Sequence, residues 1–516
     1  MRWCRILVFT AIGLCGGGLG PALATERGSS GTTPSKIEPL VLQQLEGSGR
    51  ADFFIRSVDK ADLAPAFSLG SKEAKSRFVL AALQETAARS QRELRSLLDR
   101  RGVAYKPFYI SNAILVRGGT RALVDEIAGR PEVARISANH EQQVIDPLAG
   151  PLSPASRAVE PNLTFVGAPD VWANGVTGSG IVIAVNDTGL DEDHPAIRSH
   201  YRGCLNPPSC TSEDHNYDWW DATGTYPADP FDGDGHGTVV TGIAVGDDGG
   251  ANQIGMAPGA QTIHCKVLTD GGGVTDADVI ECFQWELAPW NLAGNNPDPG
   301  AAPDVVNISW GYPGGGHDLF RGVVLALHAA GIVVVAGAGN GGPVCETLYS
   351  PGDYREVLTV GSVSHAVPYP GQVSSFSSRG PSDLDPSPPD YFPDVTAPGQ
   401  NIRSSMPGGG YAVWTGMAMA TPHAAGLVAL MWSACPEMRG HVPATMSLIQ
   451  HAAVPLTGQP GSSCGGNYTV GPNNDWGYGT IQAPAAVQAA LDWCTGTIFA
   501  DGFESGGTSA WSATVP

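Results

Sequence analysis

The sequence predicts an α/β protein: a doubly wound, mostly parallel sheet with helices on both faces, preceded by a small α+β unit. Three observations carry that prediction. From about residue 160, short continuous apolar runs alternate with helical stretches, the pattern of strands buried on both faces of a parallel sheet. Residues from about 50 to 140 instead read β-α-β-β-α-β, the order of a small two-layer sandwich. Between the two, Pro147 to Ala158 is rich in Pro, Gly, Ser and Ala and reads as a linker.

In chain order, the first 24 residues read as an export signal and are excluded from fold reasoning. A basic start, Met1-Arg2-Trp3-Cys4-Arg5, leads into the apolar run Ile6 to Leu19, and Ala22-Leu23-Ala24 offers a small-x-small cleavage site. Ala51 to Val58 is strand-like. Ser76 to Arg101 is helix-like, with Val79, Leu83, Leu94, Leu97 and Leu98 at helical spacing and Gly102 as a stop. Two strand-like stretches in Lys106 to Val116 flank Ser111-Asn112. Thr120 caps a second helix ending near Gly129, and Glu132 to Ile136 is a last strand. The order is ferredoxin-like.

Beyond the linker, the expected strands are Ile181 to Val185, Thr262 to Leu268, Val305 to Ile308, Ile332 to Ala336 and Val357 to Val363. Helices are expected over Val239 to Val245, Ala277 to Trp285, Leu319 to Ala330 and Ala418 to Ser433. In such sheets ligands gather at the carboxyl ends of the strands.

Composition narrows the function. The 516 residues carry 29 Lys plus Arg against 50 Asp plus Glu, a formal charge of −21. No basic stripe is present, which argues against nucleic acid as a partner. No segment after the signal is long and apolar enough to span a bilayer, so the mature chain is expected to be exported, free of the membrane and monomeric. Ten cysteines less Cys4 and Cys15 leave eight, an even number suited to an oxidising compartment. Cys204 and Cys210 are placed to close a small loop; the pairing of Cys265, Cys282, Cys345, Cys435, Cys464 and Cys494 stays open. Neither Cys-x-x-Cys nor His-Glu-x-x-His occurs, so no zinc motif is present.

Three polar stretches sit where a site is expected. Asp187-Thr188-Gly189 follows the first buried strand, His236-Gly237-Thr238 stands in a glycine-rich turn before a small-residue helix, and Ala338-Gly339-Asn340 ends another buried strand. Each alone passes for a turn. Asp187-Thr188-Gly189 also occurs once only, whereas an aspartic peptidase needs two such loops.

Together and in this order, these stretches resemble the subtilases, the subtilisin-like serine peptidases. The resemblance runs from about Val166 to Leu491 and includes His194-Pro195, Met256-Ala257-Pro258-Gly259, Asn307-Ile308-Ser309-Trp310-Gly311, Phe376-Ser377-Ser378-Arg379-Gly380, Thr396-Ala397-Pro398-Gly399 and Thr415-Gly416-Met417-Ala418-Met419-Ala420-Thr421-Pro422-His423. Gly246-Asp247-Asp248-Gly249 and Glu281-Cys282-Phe283-Gln284-Trp285 are most similar to the secreted, bacillopeptidase F-like branch. The resemblance implies a subtilisin-like fold at 151–495 and a propeptide with a ferredoxin-like fold at 25–150. That propeptide would assist folding and block the cleft, and 496–516 would be a short tail of unassigned role.

For the site, the resemblance implies Asp187 and His236 as the acid and base of a serine peptidase triad and Asn340 as oxyanion donor. It also implies Ser309-Trp310-Gly311 and Gly337-Ala338-Gly339 as two walls holding extended peptide substrate. Amide hydrolysis needs those residue types: a nucleophile, a base to take its proton, and a group that fixes the base's tautomer. The nucleophile's position is Ala418, and Met417 stands where threonine is usual. A methyl group cannot attack a carbonyl, and Thr415 and Thr421 lie about one helical turn away. A dead or nearly dead site is expected, through either an introduced Ser→Ala change or natural loss of the serine. No cofactor is required. Calcium is compatible with Asp191, Glu192 and Asp193, but the family's carboxylate after His-Pro falls on Ala196 and no metal site is assigned; Asp229 to Asp234 and Asp247-Asp248 read as solvated loops, with weak ion binding the alternative. Tyr349 is expected near the floor of the pocket for the residue before the cut.

Overall fold

The computed structural model describes residues 36–496 apart from 145–147, 154–157, 251, 367–370, 387–389 and 460–463. The expected export signal and tail lie outside the described residues. Chain from Ile37 onward belongs to one compact unit.

Its first element is α1 (Pro39–Ser48), opened by a proline in the first turn and closed by Gly49 in the left-handed conformation. After β1 (Ala51–Ser57), the helix expected over 76–101 is two helices, α2 (Lys72–Ser90) and α3 (Arg92–Arg101). They part at Gln91, whose Nε2 donates to the Phe108 carbonyl at 3.0 Å and to Asn112 Oδ1 at 3.1 Å. The first starts early because Ser71 Oγ accepts from Ala74 N. Lys72 and Lys75 are buried there, their Nζ atoms donating to the carbonyls of Ala302 and Gly440 at 2.7 Å each. Then come β2 (Tyr105–Phe108), β3 (Ala113–Gly119), α4 (Arg121–Ala128), capped by Thr120 as expected, and β4 (Val133–Ala138). The antiparallel order β2-β3-β1-β4 is the ferredoxin-like arrangement.

The linker reading needs correction. Strand β5 (Glu141–Gln143) precedes it, and 148–152 within it is a strand, β6 (Leu148–Leu152). Pro, Gly and Ser hid β6 because its partner lies more than 250 positions away.

Strand β7 (Ala158–Val159), α5 (Pro161–Phe165) and α6 (Ala168–Trp172) lead into the larger region. There follow β8 (Val182–Asp187), β9 (Trp219–Asp221), α7 (His236–Val245), β10 (Asn252–Gln253), β11 (Gln261–Lys266), β12 (Gly273–Thr275) and α8 (Asp276–Leu287). Next are β13 (Val305–Ile308), α9 (Arg321–Ala329), β14 (Val333–Gly337), β15 (Leu358–Val363), β16 (Val395–Pro398), β17 (Ile402–Met406), β18 (Gly410–Thr415), α10 (Met417–Ala434), α11 (Val442–Ala452) and α12 (Ala483–Cys494).

Seven strands form one parallel sheet in the order β16-β15-β14-β13-β8-β11-β9. Alternation along the strands sets the layers. Ile183, Val185, Val305, Val333 and Val335 pack toward α7 and α10, while Val182, Ala184, Val306 and Val334 pack toward α8 and α9. Each fully buried valine or isoleucine contributes about 1.5–3 kcal/mol. The chain starts at β8, crosses to the edge strand β9, returns to β11 beside β8, then crosses to β13 and runs outward to β16, so the carboxyl end of β8 is a topological switch point.

Disulfide Cys204–Cys210 forms as the sequence suggested, and Cys265–Cys282, Cys345–Cys464 and Cys435–Cys494 complete the set. Among the described residues, no helix is long and apolar enough to cross a membrane.

Candidate active site

Asp187 is the last residue of β8, and His236 opens α7 rather than standing in the turn before it. Their side chains meet: Nδ1 of His236 lies 2.7 Å from Asp187 Oδ1, both residues 1% exposed. That oxygen also accepts from Thr188 N at 2.8 Å. The His236 Nε2 atom has no hydrogen-bond partner among the described residues. Burial pulls the imidazole toward its neutral form, but the carboxylates of Asp187, Asp234 and Asp232 outweigh this and hold it above its ordinary value.

Asp232 locks the loop before α7. The solvated-loop reading of this residue fails, because it is 4% exposed and accepts four hydrogen bonds. Oδ1 takes Thr188 Oγ1 and Gly235 N at 2.8 Å each; Oδ2 takes Thr238 N at 2.8 Å and Thr238 Oγ1 at 2.7 Å. Thr188 Oγ1 in turn accepts from Gly237 N at 2.9 Å. The two loops touch so closely that a Cβ on Gly189, at φ +133°, would sit 1.9 Å from the Phe231 carbonyl oxygen. Lys266, fully buried on β11, donates to the Thr188 carbonyl and to Asp270 Oδ1.

Asn340 follows β14 and reaches the start of α10, where its Oδ1 accepts from Met417 N at 2.9 Å. Its Nδ2 is left without a partner among the described residues. Helices α7 and α10 pack together, and Ala418 lies in the same apolar cluster as Val239 and Val240. Met417 is buried with its sulfur against Gly337, where any Cβ would lie 1.9 Å from Sδ. The threonines on either side are engaged elsewhere: Thr415 Oγ1 accepts from Asn401 N, and Thr421 Oγ1 donates to the Met417 carbonyl.

The two wall tripeptides are neighbours, because Ile308 and Ala336 pair across β13 and β14 and the tripeptides continue or end those strands. Trp310 Nε1 donates to the Asn186 carbonyl at 2.8 Å, and Ser309 Oγ accepts from Asn307 Nδ2 at 2.9 Å. Tyr349 spans both walls: a Cβ on Gly311 would meet its Cβ at 2.8 Å, and one on Gly339 would meet its ring at 2.6 Å. The Tyr349 amide donates to the Ala338 carbonyl at 2.9 Å.

Two edges went unforeseen in the sequence. Strand β12 pairs antiparallel with the chain's own β5, Glu141 opposite Thr275 and Gln143 opposite Gly273, and Val144 N extends the ladder to the Gly272 carbonyl. Strand β18, leading straight into α10, pairs antiparallel with β6, Thr415 opposite Leu148 and Ala412 opposite Leu152. The glycine run 271–273 was the available signal for the first edge, since it lets another backbone approach. Of the acids considered for calcium, Asp191 Oδ2 accepts from Gly408 N and Asp193 lies 3.6 Å from Arg198. Asp247 and Asp248 accept from amides of their own turn, as solvated loops do.

Residues 178–479 match the subtilase family model. The chain belongs to the subtilase family, the subtilisin-like serine peptidases. This subtilase is 33% identical over 506 residues to bacillopeptidase F of Bacillus subtilis (strain 168), an alignment covering 92% of this chain and 34% of that protein. The chain thus spans about a third of that relative's length. It is 29% identical over 374 residues to subtilisin E of the same organism, covering 72% of this chain and 84% of the relative. It is 34% identical over 274 residues to that organism's major intracellular serine protease, covering 52% and 74%.

Proposed function

We propose that this subtilase is the precursor of an exported endopeptidase, lacking turnover as it stands because Ala418 occupies the nucleophile's position. Asp187 orients His236, His236 is the general base, and Asn340 donates Nδ2 to the oxyanion. The observation that carries this reading is the buried Asp187–His236 pair, complete on the acid side and partnerless at Nε2. With a serine at 418, Oγ would attack the substrate carbonyl carbon while its proton passes to Nε2; Nε2 would then return that proton to the leaving amine. The Ala418 methyl has neither a lone pair to give nor a proton to exchange. What remains, an oxyanion donor and a binding cleft, supports only about 10³–10⁴-fold acceleration over water.

Residues 25–150 act as the propeptide in this reading. The stretch around its end lies along both edges of the site, β5 on β12 before the expected cut and β6 on β18 after it, the way a peptide substrate is held by its main chain. Four disulfides support export to an oxidising compartment. Substrates are proteins or peptides.

The test is Ala418→Ser. Casein hydrolysis should appear, with turnover on the order of 10⁶ above the parent, the factor lost when subtilisin loses its serine. The chain should also cut itself between Gln143 and Leu148, read by amino-terminal sequencing. Silence in both assays would favour a natural pseudopeptidase that holds peptide or its own propeptide without cutting, a reading supported by the second departure at Met417. Because Tyr349 fills the space between Gly311 and Gly339, the serine form should cleave faster after Ala than after Phe or Leu. Equal rates across a peptide panel would refute the narrow pocket.

A further inference from the structure

We infer that His140, Asp276 and His317 form a divalent-cation site, suited to zinc, that clasps the amino-terminal region to the start of α8. The three come from separate parts of the chain: the turn after β4, the first residue of α8 and the loop after β13. One ligand atom from each falls in a group with all separations within 4.8 Å. Ligands of a tetrahedral zinc stand roughly 3.4 Å apart, given bond lengths near 2.1 Å, so small side-chain shifts close the set.

Unmet polar atoms mark the spot. Asp276 is fully buried, and its Oδ1 pairs with His317 Nε2 at 3.3 Å, a long contact outside good hydrogen-bond geometry. The buried Tyr312 hydroxyl lies beside Asp276 without a well-formed hydrogen bond. Native structures leave few such groups without an ion or water. Charge favours an ion over water. Asp276 and Glu38 bring two carboxylates to the two imidazoles, and no Lys or Arg lies within ion-pair distance of either carboxylate among the described residues. Arg135 acts on Glu38 from beyond ion-pair distance, so the buried Asp276 carboxylate is the charge that a cation held by two neutral imidazoles would meet.

His140 also has the second partner that metal-bound histidines require. Its Nε2 lies 2.8 Å from Glu38 Oε1, leaving Nδ1, 2.6 Å from Asp276 Oδ2, as the ligand nitrogen. Binding would expel the proton now shared between Nδ1 and Asp276. The two imidazoles stand edge to face, 5.3 Å apart.

The full chain, stripped of metal with a chelator, should bind one equivalent of Zn²⁺ by calorimetry, with proton release visible as a buffer-dependent enthalpy. One equivalent of Co²⁺ should give the intense visible bands of a four-coordinate ion. His317→Ala should lose that equivalent, and Glu38→Gln should weaken it roughly ten- to hundredfold at unchanged stoichiometry. Absence of stoichiometric binding, or equal affinity in His317→Ala, would overturn the site and leave a buried water as occupant. Should His317→Ala misfold, the Co²⁺ spectrum of the unaltered chain decides alone: weak, six-coordinate bands at one equivalent would refute the clasp.

Discussion

The two sides of the cleft differ in how polar they are. On the β8–α7 side, Asp187, Thr188, Asp232 and His236 share a closed hydrogen-bond network in which the Asp232 carboxylate alone accepts four bonds. On the α10 side, Met417, Ala418, Met419 and Ala420 are apolar and at most 4% exposed. A site relaxing as a whole would let its buried polar network drift, because unpaired buried carboxylates are costly. Here the polar half is closed, and the apolar residues are confined to one helical turn. In the proposed reading, the electrostatics that would stabilise a transition state survive the absence of the reacting group.

The sharpest way to break this comparison is to remove His236 in two backgrounds. In the Ala418→Ser form, His236→Ala should return turnover to the level of the present chain, a fall on the order of 10⁶, because nucleophile and base act as a unit. In the present chain the same change should leave residual hydrolysis unaltered. Any fall there, measured with a chromogenic peptide, would mean that His236 acts without a serine.

Asn340 bridges the two sides. Its Oδ1 is bound to the Met417 amide, which leaves Nδ2 for the oxyanion in the proposed reading. In the serine form, Asn340→Leu should lower kcat by about 10²–10³ with little change in KM. A larger rise in KM than fall in kcat would assign Asn340 to holding α10 instead.

The same contrast explains what could be read from the sequence. Strands β8, β13 and β14 announce themselves because burial on both faces leaves an unbroken apolar run, and the residues at their ends then stand out. The four-strand unit was legible for the complementary reason: Thr120 and Gly102 punctuate its helices where the periodicity ends. Asp232 was not legible. A carboxylate in a glycine-rich stretch looks solvated until the chain brings it donors from 188, 235 and 238. Strand β6 was hidden likewise, since its composition suits a linker and only the edge of β18 makes it a strand. The break at Gln91 depends on Phe108 and Asn112, beyond the reach of local spacing.

The smallest effect tests the electrostatics of the polar side alone. His236 sits above its ordinary value because the neighbouring carboxylates outweigh the penalty of burial, and Asp234, accepting from His236 N at 3.3 Å, is one of them. A base with a raised pKa stays protonated, and so inactive, to higher pH. The acid limb of kcat/KM in the Ala418→Ser form should therefore lie above about 6.5, the ordinary histidine value. Asp234→Asn removes one negative charge without touching the Asp187–His236 bond, so the limb should move down, toward acid, on the order of half a pH unit. If the limb stays put while activity is retained, Asp234 adds nothing to the field at His236 and serves only to hold the loop.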